Sequence, residues 1–305
     1  MLLITGLFCK KYGVLTDAAI NALNKFIIII GYPCLILART TTLDMGHTIF
    51  INFLLSLSIT LGIFILLAAY SHLYCRSDRF PAEDKAVYEF AIIAPNNGFM
   101  GFPVALTFFG DLGLLYMIGT NIALNIIFFT FGITIFKRGR ETAKETVSEK
   151  LLRFVKMIAH PGIVAAIVGI VICYNNIELP GILSGYLNLV GAVATPMAMI
   201  SIGTMLAGGF GINSFKKRQV MEPVLNKLII MPVITALIVW FLPIDPLVKT
   251  LLVISNTMPV ATMVPIFSEQ YGRNKNAAVE ILVVSTLFSM ATIPAAVWIL
   301  PHLGI

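Results

Sequence analysis

The sequence predicts an all-α polytopic membrane protein, and three observations carry that prediction. Of 305 residues, 58% are hydrophobic and 12% charged, against about 25% charged in a soluble domain. Apolar runs of about 20 residues recur along the chain, long enough for a helix to cross a bilayer. A transmembrane barrel would show short alternating segments instead. The Lys and Arg residues sort to alternate loops, as the positive-inside rule demands.

Taken in order, residues 1–8 are an apolar stub too short to span, followed by Lys10 and Lys11. No cleavable signal is visible there, because an n-region is lacking and the apolar stretch is short. Full spans are expected at 17–38, 48–74, 86–109, 113–136, 157–177, 223–242, 246–270 and 276–300, with one more span plus a loop inside 179–215. This gives nine spans, or ten crossings if the stub is the end of a helix. Pro33 lies inside the first full span and Lys25 near its end, where it can snorkel to the interface. Residues 137–156 form a charged cytoplasmic link at the midpoint.

Charge orients the chain. Lys10, Lys11, Arg76, Arg79, Lys85, the cations of the link, Lys216, Lys217, Arg218, Lys227, Arg273 and Lys275 fall on one side. Arg39 and Lys249 fall on the other. The first group belongs in the cytoplasm, which puts the C-terminus outside. The net charge of +6 therefore reflects membrane orientation and not a nucleic-acid partner. The partner implied by composition is the lipid bilayer.

The stretch 94–110, A-P-N-N-G-F-M-G-F-P-V-A-L-T-F-F-G, cannot be a continuous helix. Pro95 and Pro103 remove backbone donors, and Gly98 and Gly101 each cost about 1 kcal/mol relative to Ala. Broken backbone at membrane depth is tolerated only when it is buried in protein or lines a cavity. A second interruption lies at Asn256, Thr257, Met258 and Pro259. Pro103 precedes Gly110 by seven residues and Pro265 precedes Gly272 by seven, at a common offset of 162. Pro33 and Pro196 are 163 apart. Five crossings per half would invert the second half, and paired interrupted helices in inverted repeats point to a secondary transporter's midplane site.

N-N-G-F-M-G-F-P-V-A (96–105), T-P-M-A-M-I-S-I-G (195–203) and N-T-M-P-V-A-T-M-V-P-I-F-S-E-Q-Y-G (256–272) resemble the auxin efflux carrier family, in a bacterial form. G-V-L-T-D (13–17) leading to Pro33 resembles that family's entry to its second helix. The resemblance implies two inverted five-helix repeats with crossed interrupted helices, the first helix here lacking about half its length. It implies scaffold helices at 1–38 and 157–215, and transport-domain helices at 39–136 and 216–305 that move as an elevator. A homodimer is compatible with it. The short central loop does not match the long loop of many plant auxin exporters, so neither loop regulation nor auxin is carried over.

The expected function is transport of a small organic anion, a mono- or dicarboxylate, across the cytoplasmic (inner) membrane. Half-helix N-termini can hold a carboxylate without a buried Lys or Arg. Asn96, Asn97, Gly98, Asn256, Thr257 and Met258 are the expected substrate-binding positions, with Pro95, Gly101, Pro103, Pro259 and Pro265 shaping the crossing. The amides have a second reading, as caps of helix ends. Asn121 and Asn125, one turn apart, and Thr262 and Thr286 either border the site or join helices. Ser285 and Ser289 are read as packing residues, and Glu89, Glu269 and Glu280 as interfacial. No cofactor is expected. Coupling to H+ or Na+ is left open, although no Asp sits at mid-span. Cys9, Cys34, Cys75 and Cys173 lack pairing or metal spacing. An intramembrane enzyme would need a carboxylate pair, HExxH or a Ser/His constellation, and none is present. The alternatives left are a channel or a non-transporting membrane assembly protein.

Overall fold

The computed structural model describes residues 1–44, 46–77, 80–138, 155, 158–207 and 212–304. Most of the charged link lies outside them. The protein is an all-α polytopic membrane protein. Helix α1 is Leu2–Lys11, α2 Asp17–Thr40 and α3 His47–Cys75. Helix α4, Lys85–Ile93, is followed after a break by α5 (97–109) and α6 (111–137). Next come α7 (Pro161–Tyr174), α8 (Gly181–Leu206), α9 (Arg218–Trp240), α10 (Pro246–Thr257), α11 (Met263–Gln270) and α12 (Lys275–His302).

Among the described residues, six helices are long and apolar enough to cross a membrane. The other three expected spans are met by shorter pieces: α4 with α5, the 14-residue α7, and α10 with α11. Two of these are short because their backbone is broken in the middle, where the proline and asparagine runs lie.

Prolines also explain three local widenings of the helices; a fourth, at Phe128–Gly132, has no proline just after it. Five-residue π turns at Ile27–Gly31, Asn97–Gly101 and Asn226–Ile230 each end two residues before a proline, Pro33, Pro103 and Pro232. Proline has no N–H to donate and its ring clashes with the carbonyl four residues back. An i→i+5 turn just before it absorbs that clash without ending the helix.

The glycines of the two P-x6-G segments share a conformation. Gly110 has φ +67° and Gly272 φ +60°, the left-handed region that glycine enters freely. Gly110 turns the chain between α5 and α6, and Gly272 between α11 and α12.

Helices α1, α2, α7 and α8 pack on one another. The closest approach is at Gly6 and Gly203. A Cβ on Gly6 would come within 2.0 Å of the Ile200 carbonyl, and one on Gly203 within 2.1 Å of the Leu3 carbonyl. Small residues at such a crossing let two backbones touch. Helices α3, α4, α6 and α9 to α12 form a second packed group. Phe90 and Phe267 stack in its core and Phe136 meets both edge-on, at centroid distances of 5.5 to 5.9 Å. Arg273, just after α11, donates to the Phe136 carbonyl at 2.9 Å and the Glu83 carbonyl at 3.0 Å. It thereby satisfies a terminal carbonyl that the end of α6 leaves open, and ties it to the turn before α4.

Candidate functional site

The two breaks meet. After Ile93 the chain leaves the helix at Ala94, Pro95 and Asn96; after Thr257 it leaves at Met258 and runs extended through Val260. Pro95 and Val260 face each other antiparallel. The Asn96 N–H donates to the Pro259 carbonyl and the Ala261 N–H to the Ala94 carbonyl, both at 2.8 Å. Pro95 and Pro259 have no N–H to leave unpaired in this buried place. The Val260 N–H, pointing the other way, donates to Ser285 Oγ of α12 at 3.1 Å. Ser285 thus serves the crossing directly.

The asparagines divide. Asn96 caps α5, its Oδ1 accepting from the Phe99 N–H at 3.3 Å. Asn97 is 1% exposed and joins three helices. Its Nδ2 donates to Ser255 Oγ of α10 at 2.6 Å and Thr120 Oγ1 of α6 at 3.2 Å. The Thr120 hydroxyl hydrogen goes to the Met117 carbonyl at 2.8 Å, so Thr120 can only accept from Asn97. Asn97 Oδ1 has no partner. Asn256 bonds within its own helix, Nδ2 to the Leu252 carbonyl at 3.3 Å, and its Oδ1 also has no partner.

A cavity of about 560 Å³ runs to this crossing. Pro95, Asn96, Asn97, Gly98, Asn121, Asn125, Thr262 and Pro265 line it. A methyl group on Gly98 would meet no protein atom within 4 Å, so a ligand can approach that backbone closely. Asn256, Thr257, Met258, Pro259, Gly101, Pro103 and Thr286 do not line the cavity. Thr257 Oγ1 donates to the Ile254 carbonyl at 2.7 Å and Thr286 Oγ1 to the Leu282 carbonyl at 2.8 Å.

The opposite wall brings residues that sequence reasoning missed. Asn21 and Asn24 of α2 line the cavity, as do Tyr32 and Thr204. Ser201 Oγ donates to Asn24 Oδ1. Tyr32 is 5% exposed, and its hydroxyl has no partner. Its ring packs edge-on against Phe102 at 5.4 Å and Phe99 at 6.0 Å. The signal for the wall was present as N-A-L-N at 21–24, two amides on one helix face inside an apolar span.

The charged groups of the cavity are paired. Lys10 reaches Asp17 at 2.5 Å and Lys275 reaches Glu269 at 2.7 Å. Both pairs lie at helix ends beside the Lys- and Arg-rich loops. Elsewhere, Glu89 is 2% exposed, accepts from Arg138 at 3.0 Å and lies 3.2 Å from His72 Nδ1. Lys227, grouped from sequence with the loop cations, is nine residues past Arg218. That is about 14 Å along α9 at 1.5 Å per residue, and it is fully buried. Among the described residues no cluster of His, Cys, Asp or Glu could hold a metal, and the Cys173 thiol donates to the Leu43 carbonyl at 2.7 Å.

The site can therefore offer backbone N–H groups at the start of α5, amide side chains from several helices and one phenol, with no unpaired Lys at the crossing. Comparison with known proteins gives a consistent picture. A family model described as membrane transport protein matches residues 1–299. An uncharacterized transporter of Methanocaldococcus jannaschii is 23% identical over 98% of this chain and 96% of its own length. One of Methanothermobacter thermautotrophicus is 23% identical over 96% and 93%. A protein of Rhizobium meliloti provisionally named a malonate transporter is 25% identical over 97% and 96%.

Proposed function

The chain belongs to the membrane transport protein family, and from that premise we propose that it is a secondary transporter of a small organic anion. The class of anion is a mono- or dicarboxylate, and a relative named for malonate supports that class. The observation that carries the reading is the cavity that ends on two crossed helix breaks. The start of α5 presents free N–H groups and a partial positive charge, which attract a carboxylate. Asn96, Asn97 and Gly98 stand there, with Tyr32 and the Asn21–Asn24 face across the gap. Asn121, Asn125 and Thr262 border the bound anion.

The cycle is alternating access of the elevator type. Residues 1–38 and 157–215 form the static scaffold, and 39–136 and 216–305 the moving body, joined through 137–156. The halves are inverted repeats, a reading supported by the shared left-handed Gly110 and Gly272. The protein resides in the cytoplasmic membrane with its C-terminus outside. The paired charges of the cavity lie on the Lys-rich side, so this conformation faces the cytoplasm.

Counterflow in proteoliposomes tests the proposal. Vesicles loaded with unlabelled malonate or succinate should accumulate the labelled form with saturable kinetics. Flux that rises linearly with concentration would point to a channel. The absence of flux for both acids would overturn the reading.

A further inference from the structure

Lys227 is the one lysine among the described residues that is fully buried, and its Nζ has no hydrogen-bond partner. The π turn that carries it is accounted for by Pro232 and is not itself a sign of function. The surroundings of Lys227 are a better guide. A ladder of polar groups descends α9 toward it. Exposed Arg218 donates to Glu222 Oε1, and the Tyr74 hydroxyl donates to Glu222 Oε2 at 3.1 Å. Asn226 Nδ2 donates to the Glu222 carbonyl at 2.9 Å, and the Tyr70 hydroxyl to Asn226 Oδ1 at 2.7 Å. The ladder ends at the residue before Lys227.

Around Lys227, α9 packs on α3, α4, α10 and α12. Their ionisable groups are engaged elsewhere. Glu89 of α4 pairs with Arg138, and Lys85 donates to the Arg76 carbonyl. Lys249 of α10 reaches the Trp240 carbonyl. On α12, Lys275 pairs with Glu269, Glu280 with Lys217, and His302 lies against the Trp298 carbonyl. On α3, Tyr70 and Tyr74 bond to Asn226 and Glu222, and His72 lies beside Glu89; Asp84 at the start of α4 accepts from Asn274. Cys75 and Tyr88 remain, and a thiol and a phenol are mainly neutral near pH 7. An ammonium at Lys227 is thus a buried charge without a counter-ion, and an amine is a buried donor without an acceptor. Both are costly, and an apolar residue of similar volume would avoid either cost. Packing alone does not account for a lysine here.

We propose that Lys227 is the proton site of this carrier. Its nitrogen lone pair takes one proton from the aqueous phase at the end of α9 where the polar ladder begins, forming a third N–H bond while the anion is bound. The proton leaves to water on the other side when the anion has left. One proton then travels with one carboxylate, and the moving body crosses the apolar barrier with its added charge offset. This inference rests on the transporter reading above.

Malonate counterflow and malonate uptake driven by an imposed pH gradient, measured in the same proteoliposomes, test it. Lys227→Met should keep counterflow and lose the acceleration by the gradient. Its melting temperature in detergent should equal or exceed that of the unsubstituted protein. Lys227→Gln, which keeps a polar group but carries no proton charge, should behave the same way. Either variant accelerating normally with the gradient would overturn the proposal. So would loss of counterflow with a normal melting temperature, or a lowered melting temperature with the gradient response intact. No counterflow in the unsubstituted protein sinks the carboxylate reading, and this inference falls with it; counterflow without the Lys227 effect sinks this inference alone.

Discussion

The two helix breaks look alike in sequence and differ in use. Each pairs an asparagine with a proline at an interrupted span, and each contributes one carbonyl and one N–H to the crossing. The first break opens on the cavity through Pro95, Asn96, Asn97 and Gly98. The second opens on it only at its far end, at Ala261, Thr262 and Met263. Its asparagine, Asn256, folds back on its own helix. One break presents its residues to the cavity, and the other bonds the first in place. A shared motif therefore fixes the backbone event, while the rotation of each helix decides which side chains the event exposes.

Substitutions can break or sharpen this contrast. The largest effect is expected from Ala261→Pro, which removes the bond to the Ala94 carbonyl. Losing a donor there and forcing a ring into the crossing costs about 3 kcal/mol, so purified protein should show a strongly lowered melting temperature. An unchanged one would mean that the paired breaks contribute little to stability. Asn97→Ala comes next. It strips the amide from Ser255 and Thr120, a loss of about 1–3 kcal/mol, and should also abolish malonate counterflow. Gly98→Val separates binding from folding: the melting temperature should hold, since no protein atom lies near the added Cβ, while counterflow falls. Equal loss of stability would show that the space beside Gly98 is not open. The smallest effect belongs to Asn256→Ala, which removes one long hydrogen bond, worth about 1 kcal/mol. Counterflow should be nearly unchanged. If Asn256→Ala damages transport as much as Asn97→Ala, the two breaks are equivalent and the contrast fails.

Much of the fold was legible because helix punctuation is local. Pro95, Asn96 and Gly98 announce a break whatever surrounds them, and Pro103 and Gly110 announce its limits. The cavity wall was not legible in the same way. Asn21 and Asn24 come from α2, Asn96 from the break before α5, and Asn121 and Asn125 from α6, and only tertiary packing points them at one volume. Lys227 was misplaced for a related reason. Charge sorting assigns a lysine to the nearer loop, but the depth of a side chain depends on where its helix begins, and α9 begins at Arg218. Ser285 was read as packing because a serine in an apolar span usually bonds its own helix. Its second bond, from Val260, exists only because the crossing sits beside it.

The doubly bonded crossing has a mechanical consequence. Prying the two strands apart would strand the Ala94 and Pro259 carbonyls and the Asn96 and Ala261 N–H groups where nothing else can bond them, and each such group is expensive in an apolar setting. The crossing is therefore a rivet through four half-helices, and in the proposed elevator cycle they would travel as one plate. Slippage would then follow a weaker seam, where Tyr32 meets Phe99 and Phe102 edge-on, a contact of smooth aromatic surfaces with no hydrogen bond to shear.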